Sequence, residues 1–106
     1  MRRWYQATCV VRLPAPASIE DGTGENGAVT GYVVNIGLSG DDLMQAMTEA
    51  ERVALRKFDG RRDGNRLEEV KIKEVELPAL QDQFPIQEAG SNGNPIFVSK
   101  LIYFDE

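Results

Sequence analysis

The amino-acid sequence predicts a domain of the α+β class, in which a four-stranded, mainly antiparallel sheet carries one long helix on one face. Three observations lead to this prediction. Four segments alternate or are rich in apolar residues as strands are, one segment has apolar residues at helical spacing, and the elements follow the order ββαββ. A chain of 106 residues has the length of one domain with one core, so a single domain is expected over residues 1–106.

The first two predicted strands form an antiparallel hairpin. In residues 4–13, apolar and polar side chains alternate, which is typical of a strand with one buried face. Residues 14–27 contain two prolines and three glycines and are predicted to form a loop. The second strand is predicted over residues 28–38, where Gly31 and Gly37 indicate a bulge or the close approach of another element.

The helix has the strongest local signal. Ser39 is expected to cap it, and Asp42 three residues later completes a pattern like a capping box. The residues that repeat at helical spacing form one buried stripe: Leu43, Ala46, Met47, Ala50, Val53 and Ala54. Gly60 is placed to end the helix. Met44 and Leu55 lie outside the stripe, so they either widen the buried face or mark a contact surface.

A third strand is predicted over residues 67–77. Its apolar positions change parity along the segment, so one extra residue near Lys73 and Glu74 is expected to form a bulge. The segment is rich in charge, which indicates either an edge strand protected against aggregation or an acidic stripe that docks against basic residues of a partner.

The last part of the chain is predicted to contain one more strand. Residues 78–95 are expected to be irregular, with Phe84 and Ile86 holding them on the core. Residues 96–104 are apolar on both faces, which favours a central strand.

One helix covers only one face of such a sheet. The opposite face is expected to carry these apolar side chains: Trp4, Val10, Val29, Val33, Phe97, Leu101 and Tyr103. A face of this kind is hard to leave in water. We therefore expect it to be covered by residues 78–95, by a second copy of the chain or by a partner.

The composition argues against most catalytic chemistry. The chain has no histidine and a single cysteine, Cys9, which removes the commonest general base and every Cys/His pairing. We predict no catalytic residues, no metal and no cofactor. One cysteine cannot form an internal disulfide, so a reducing, cytoplasmic location is expected. No apolar run reaches 18 residues, and no contact with a membrane is predicted.

The charge balance is acidic, with 12 basic and 17 acidic residues and a net charge of −5. Binding to nucleic acid needs a positive field, so nucleic acid is not an expected partner. An acidic surface is compatible with a basic protein partner, or it serves solubility alone.

Two short motifs match catalytic or cofactor patterns without their context. The glycines at 22, 24 and 27 form a literal GxGxxG, but a dinucleotide site needs a strand before this motif and a helix after it. Glu69 and Lys71 form an E-x-K pair, but a nuclease site also needs a carboxylate on a preceding strand to share a divalent ion. Neither function is predicted.

The candidate partner-binding residues combine aromatic side chains with carboxylates. Trp4 has either a core role or a role as an interface residue. The full set is Trp4, Tyr5, Asp41, Asp42, Glu68, Glu69, Glu74 and Glu76.

Three features carry a resemblance to known proteins: the Trp4-Tyr5 strand, the Asp41-Asp42 helix start followed by Ala46 and Ala50, and the aromatic segment from Ile96 to Phe104. In these the chain resembles small uncharacterised bacterial α+β domains, and in size and acidity it resembles toxin-immunity proteins and phage inhibitors. The resemblance implies a non-enzymatic inhibitor that occludes a basic site on a larger protein. The alternatives are a self-associating accessory or structural protein, such as a phage homodimer, and an enzyme that uses carboxylates alone.

Overall fold

The computed structural model describes residues 3–20, 26–57, 64–76, 84, 86–90 and 95–105. This part of the chain forms a six-stranded antiparallel sheet with one short helix. The elements are β1 (Arg3–Glu20), β2 (Asn26–Gly40), α1 (Leu43–Leu55), β3 (Arg66–Val75), β4 (Ile86–Ala89), β5 (Pro95–Val98) and β6 (Ile102–Phe104). The strand order is β3-β1-β2-β5-β4, and β6 pairs with β2 next to β5.

The α+β class is therefore correct, but the predicted four-stranded ββαββ sheet with one long helix is wrong. The segment predicted as irregular, 78–95, contains β4, and the last predicted strand, 96–104, is divided into β5 and β6. The helix has 13 residues and is about 20 Å long at 1.5 Å per residue, close to the average helix.

The hairpin of β1 and β2 is longer than predicted because β1 continues through part of the expected loop, residues 14–27. Arg12 pairs with Gly31, and the next recorded pair joins Ala17 to Val29. The residues between them form an irregularity that contains both prolines. A proline lacks the N–H that a regular ladder needs, so a bulge is where a long strand can accommodate it.

The outer side of β2 carries two short strands in place of one long strand. Val98 pairs with Ile36 and Ile102 pairs with Val33, so the segment between β5 and β6 has one residue more than the facing part of β2. The Ser99 N–H donates to the Asn35 carbonyl at 2.9 Å, and the Asn35 N–H donates to Ser99 Oγ, also at 2.9 Å. A serine hydroxyl thus replaces a backbone carbonyl where the ladder is interrupted.

The main core lies between the helix and one face of the sheet. Alternate residues of β1 and β2 face the helix and are buried: Tyr5, Ala7, Cys9, Val11, Tyr32, Val34, Ile36 and Leu38. The helix contributes Ala46, Ala50, Val53 and Ala54. These small side chains allow the helix to lie close to the large residues of β2. The Tyr32 hydroxyl donates to the Ala54 carbonyl at 2.5 Å, which joins β2 to the last turn of the helix.

The helix is capped by Asp42 rather than by the predicted Ser39. Asp42 Oδ1 accepts from the Gln45 N–H at 2.8 Å, and Gln45 Oε1 accepts from the Asp41 N–H at 2.7 Å. Ser39 cannot take this role because β2 continues to Gly40, which leaves Ser39 buried in the sheet. The predicted end at Gly60 lies outside the described residues.

The bulge in β3 lies at Glu68, so its prediction near Lys73 and Glu74 is wrong. Val10 pairs with Glu69 and Val11 pairs with Leu67, which leaves Glu68 as the extra residue. Farther along, the change of parity has another cause, because Val75 pairs with Trp4 on the face that points away from the helix. The strand supplies apolar side chains to both faces.

The close approach predicted at Gly31 is confirmed. A Cβ at this position would lie 2.3 Å from Cζ of the Phe104 ring and 2.4 Å from the Val11 carbonyl oxygen. Any side chain at Gly31 would displace either the ring or the ladder between β1 and β2.

We expect Gly31→Ala to lower the free energy of unfolding by about 1–3 kcal/mol, because added atoms in a closely packed site force such displacements. Urea denaturation followed by circular dichroism measures the change. In a Phe104→Leu background, Gly31→Ala should lower the free energy of unfolding by a smaller amount, because the clash with the Phe104 ring is removed. Some loss should remain, since the added Cβ still lies too close to the Val11 carbonyl oxygen. Equal stability of the Gly31→Ala variant and the wild type would contradict this packing.

We expect Tyr32→Phe to lower the free energy of unfolding by about 1–2 kcal/mol, because the Ala54 carbonyl loses a buried donor. The dependence of the unfolding free energy on urea concentration should stay unchanged, since the surface exposed on unfolding is the same. A variant as stable as the wild type would show that this hydrogen bond contributes nothing to the docking of the helix.

Candidate functional site

The structure divides the predicted partner-binding residues between two ends of the sheet. Trp4 pairs with Ser39 at the end of β2 and with Val75 at the end of β3. The residues that gather near this pairing form what we call the helix-start end: Arg3, Trp4, Asp41, Asp42, Leu43, Met44, Glu74 and Glu76. Glu68 and Glu69 lie toward the other end of β3, where Glu69 pairs with Val10 of β1.

Four exposed carboxylates lie at the helix-start end: Asp41, Asp42, Glu74 and Glu76. Arg3 Nε lies 3.7 Å from Glu74 Oε1, and both side chains are more than half exposed. Water and salt weaken such a pair, so it offsets little of the negative field. Among the described residues of this end, acidic side chains therefore outnumber basic ones.

The acidic stripe predicted along residues 67–77 is not continuous. Glu69, Lys71 and Lys73 pair with the residues of β1 that point away from the helix, whereas Glu74 pairs with Tyr5 on the helix side. The carboxylates of β3 are thus separated by the alternation of the strand. The exposed carboxylates therefore gather at one end of the sheet and do not form a stripe along its β3 edge.

Large apolar side chains accompany these carboxylates. Leu43 is 45% exposed and Met44 is 67% exposed, and both follow Asp42 in the first turn of the helix. The prediction that Leu43 belongs to the buried stripe is wrong, because the buried part of the helix starts at Ala46. Of the two interpretations of Met44, its exposure favours a contact surface.

The two aromatic candidates have different surroundings. Trp4 is half-buried on the face that points away from the helix, with its ring centroid 6.0 Å from that of Phe97. The buried Phe84 belongs to the same small cluster, which confirms its expected packing role. Tyr5 is only 4% exposed and lies in the main core, so its side chain offers no area to a partner.

The sheet face opposite the helix is not the continuous apolar surface that the sequence predicts. Val29 and Leu101 pack with the helix-side core, and Tyr103 pairs with Tyr32 on that same side. The middle of the opposite face is polar, where the Thr8 hydroxyl donates to Asn35 Oδ1 at 2.6 Å.

At the far end of this face lies a shallow groove of about 560 Å³, lined by Val10, Arg12, Val33, Glu68, Glu69 and Phe104. The Arg12 guanidinium lies over the Phe104 ring, 5.1 Å from its centroid, and donates to both carboxylate oxygens of Glu68 at 3.2 and 3.3 Å. The negative charge of the Glu68 carboxylate is therefore balanced by Arg12 of the same chain, so Glu68 attracts a basic partner only weakly. Nothing in the sequence pattern indicated this pair, because its members are 56 positions apart.

Cys9 is enclosed in the core, where burial raises the pKa of its thiol from 9.0 to about 12, with the Glu51 carboxylate as a smaller cause. This position keeps the thiol of the folded chain unreactive at neutral pH, because the thiolate is the reactive form.

We expect the Cys9 thiol of the folded chain to react with a disulfide reagent at neutral pH at least ~100-fold more slowly than in urea. Above pH 9 the thiol ionises in the unfolded chain before it does in the folded chain, so stability should fall as the pH rises from 9 toward 12. Cys9→Ala should reduce that fall. Rapid labelling of the folded chain would contradict the enclosed position.

Within the described ranges, no group of three or more metal-ligating side chains could hold an ion. The helix of the described part lacks the length and apolar character needed to cross a bilayer. A scan against protein-family models, a search of curated proteins and a search of solved structures found no match. The resemblance to immunity proteins and phage inhibitors therefore stays a prediction.

Proposed function

We propose that this chain is a non-enzymatic protein-binding inhibitor, of the kind that immunity proteins represent, and that it acts in the cytoplasm. The helix-start end would cover a basic site on a larger protein and block it by occupancy. The observation that carries this proposal is the presence of exposed Leu43 and Met44 directly beside the exposed carboxylates of Asp41 and Asp42.

Charge supports a basic partner. The whole chain carries a net charge of −5, and the helix-start end concentrates carboxylates from two elements, the helix start and the end of β3. Opposite fields raise the rate of encounter and orient the approach of two proteins. Charged groups at the rim of an interface act in this way more than they add affinity.

Affinity requires buried apolar area in addition to charge. Met44 and Leu43 supply it on the helix, and the exposed part of Trp4 supplies more at the same end of the sheet, on the face that points away from the helix. A few large side chains near the centre of an interface contribute most of the binding energy. An apolar centre with carboxylates around it fits a basic protein surface better than it fits a small anionic ligand.

Local hydrogen bonds order the helix-start end, which favours tight binding. Asp42 Oδ1 accepts from the Gln45 N–H in the first turn, Gln45 Oε1 accepts from the Asp41 N–H just before the helix, and β2 ends at the buried Gly40. Side chains presented on an ordered element lose less entropy when they bind.

We expect the double variant Asp41→Asn/Met44→Ser to retain at least ~30-fold less partner protein than the wild type, as loss of a central contact would produce. Tagged chain is used to recover partners from an extract of the organism that encodes it. The capping side chain of Asp42 is left intact, so the helix should form normally, which circular dichroism verifies.

The matched control is Asp105→Asn/Ile102→Ser, which makes the same kinds of change away from the helix-start end. Ile102 is 60% exposed and Met44 is 67% exposed, so similar apolar surface is removed in each case. The control should retain the partner. Recovery of no specific protein, or equal losses in the two variants, would count against the proposal.

A further inference from the structure

We propose that the chain self-associates through the outer edge of β3, which pairs antiparallel with β3 of a second copy around a two-fold axis at Val70. This surface is different from the helix-start end, so the inference does not depend on the proposed function.

The outer edge of β3 has the backbone needed for such pairing. Within the described part of the chain, β3 lies at the end of the strand order and pairs with β1 alone. It is ten residues long, and no proline or glycine interrupts it. Its outward N–H and C=O groups form a template for another strand. Lys71 and Lys73 lie on the face that points away from the helix, where they pair with Thr8 and Gln6 of β1.

Apolar side chains on the helix side of β3 would gain cover from a second copy. Leu67, Val70 and Ile72 are half-buried and pack against the main core at its margin. Pairing around Val70 places the two Val70 side chains opposite each other. Because Glu68 is the bulged residue, Leu67 takes its place in the ladder and faces Ile72 of the second copy. The apolar band then continues across the interface.

The charges on the other face of β3 select this register. Pairing around Val70 places Glu69 opposite Lys71 of the second copy, and symmetry makes this pair twice. A register centred on Lys71 would place the Lys71 residues of the two copies opposite each other. A register centred on Ile72 would place Lys71 of each copy opposite Lys73 of the other. In the Val70 register, Lys73 meets Arg66 only at the ends of the ladder, where both are exposed.

The same charges favour a second copy over a foreign strand. Glu69 and Lys71 are two residues apart in one chain, with Lys71 Nζ 3.7 Å from Glu69 Oε1, and both are more than half exposed. A two-fold axis between them converts this exposed pair into two cross-strand pairs of opposite charge. Any other partner would have to carry the complementary sequence by itself.

The test uses charge reversal and light scattering on the full chain at concentrations up to about 1 mM, where even an interface of millimolar dissociation constant is populated. The wild type is expected to form dimers. Glu69→Lys and Lys71→Glu should each weaken the dimer at least ~10-fold, because each replaces two opposite-charge pairs with two like-charge pairs. The combined reversal, Glu69→Lys/Lys71→Glu, should restore dimerisation to within about threefold of the wild type.

The matched controls are Asp105→Lys and Lys100→Glu, which reverse exposed charges outside β3 and should leave the dimer unchanged. A wild type that stays monomeric at the highest concentration overturns the proposal. So does a dimer that tolerates both single reversals, or one that the combined reversal fails to restore.

Discussion

The pairing of β1 with β2 is the interaction on which the rest of the structure depends. These two strands have 18 and 15 residues, and between them they provide most of the buried side chains of the core. Every other described element is added to this hairpin: β3 on the free side of β1, β5 and β6 on the free side of β2, β4 beyond β5, and the helix across one face. The strands added on the side of β2 pair through only two to four residue pairs each, so their positions follow from the register of the hairpin.

This arrangement explains why candidate binding residues from distant parts of the sequence meet at one end of the molecule. The register joins the start of β1, the end of β2 and the end of β3 at the Trp4 position. The helix begins at Leu43, with only two residues between it and the end of β2 at Gly40, so its first turn lies at the same end. One end of the molecule thus carries the carboxylates of Asp41, Asp42, Glu74 and Glu76. Neither their spacing in the sequence nor the elements to which they belong would predict this shared location.

Local patterns in the sequence correctly predicted the α+β class and the presence of two N-terminal strands followed by a helix, because these segments have strong alternation or helical periodicity. They failed where a tertiary contact decided the outcome. Ser39 has the chemistry of a cap but is held in β2, and residues 96–104 have the composition of one strand but are divided by Ser99. The bulge at Glu68 could not be located because parity alone does not show which face each apolar residue joins. For the site, the helical pattern of the sequence singles out Met44, because this residue lies outside the buried stripe. The ion pair of Arg12 with Glu68 depends on strand register, which the sequence pattern does not contain.

The interruption at Ser99 has a consequence for assembly. It divides β5 from β6, so this margin of the sheet has strands of only three and four residues, whereas β3 at the opposite margin has ten residues with one bulge at Glu68. Short strands make poor templates for the addition of further chains. Growth of the sheet by repeated addition would need two competent margins, and the described part of the chain has one. If the proposed pairing of β3 forms, this asymmetry would favour closed pairs over open-ended fibrils.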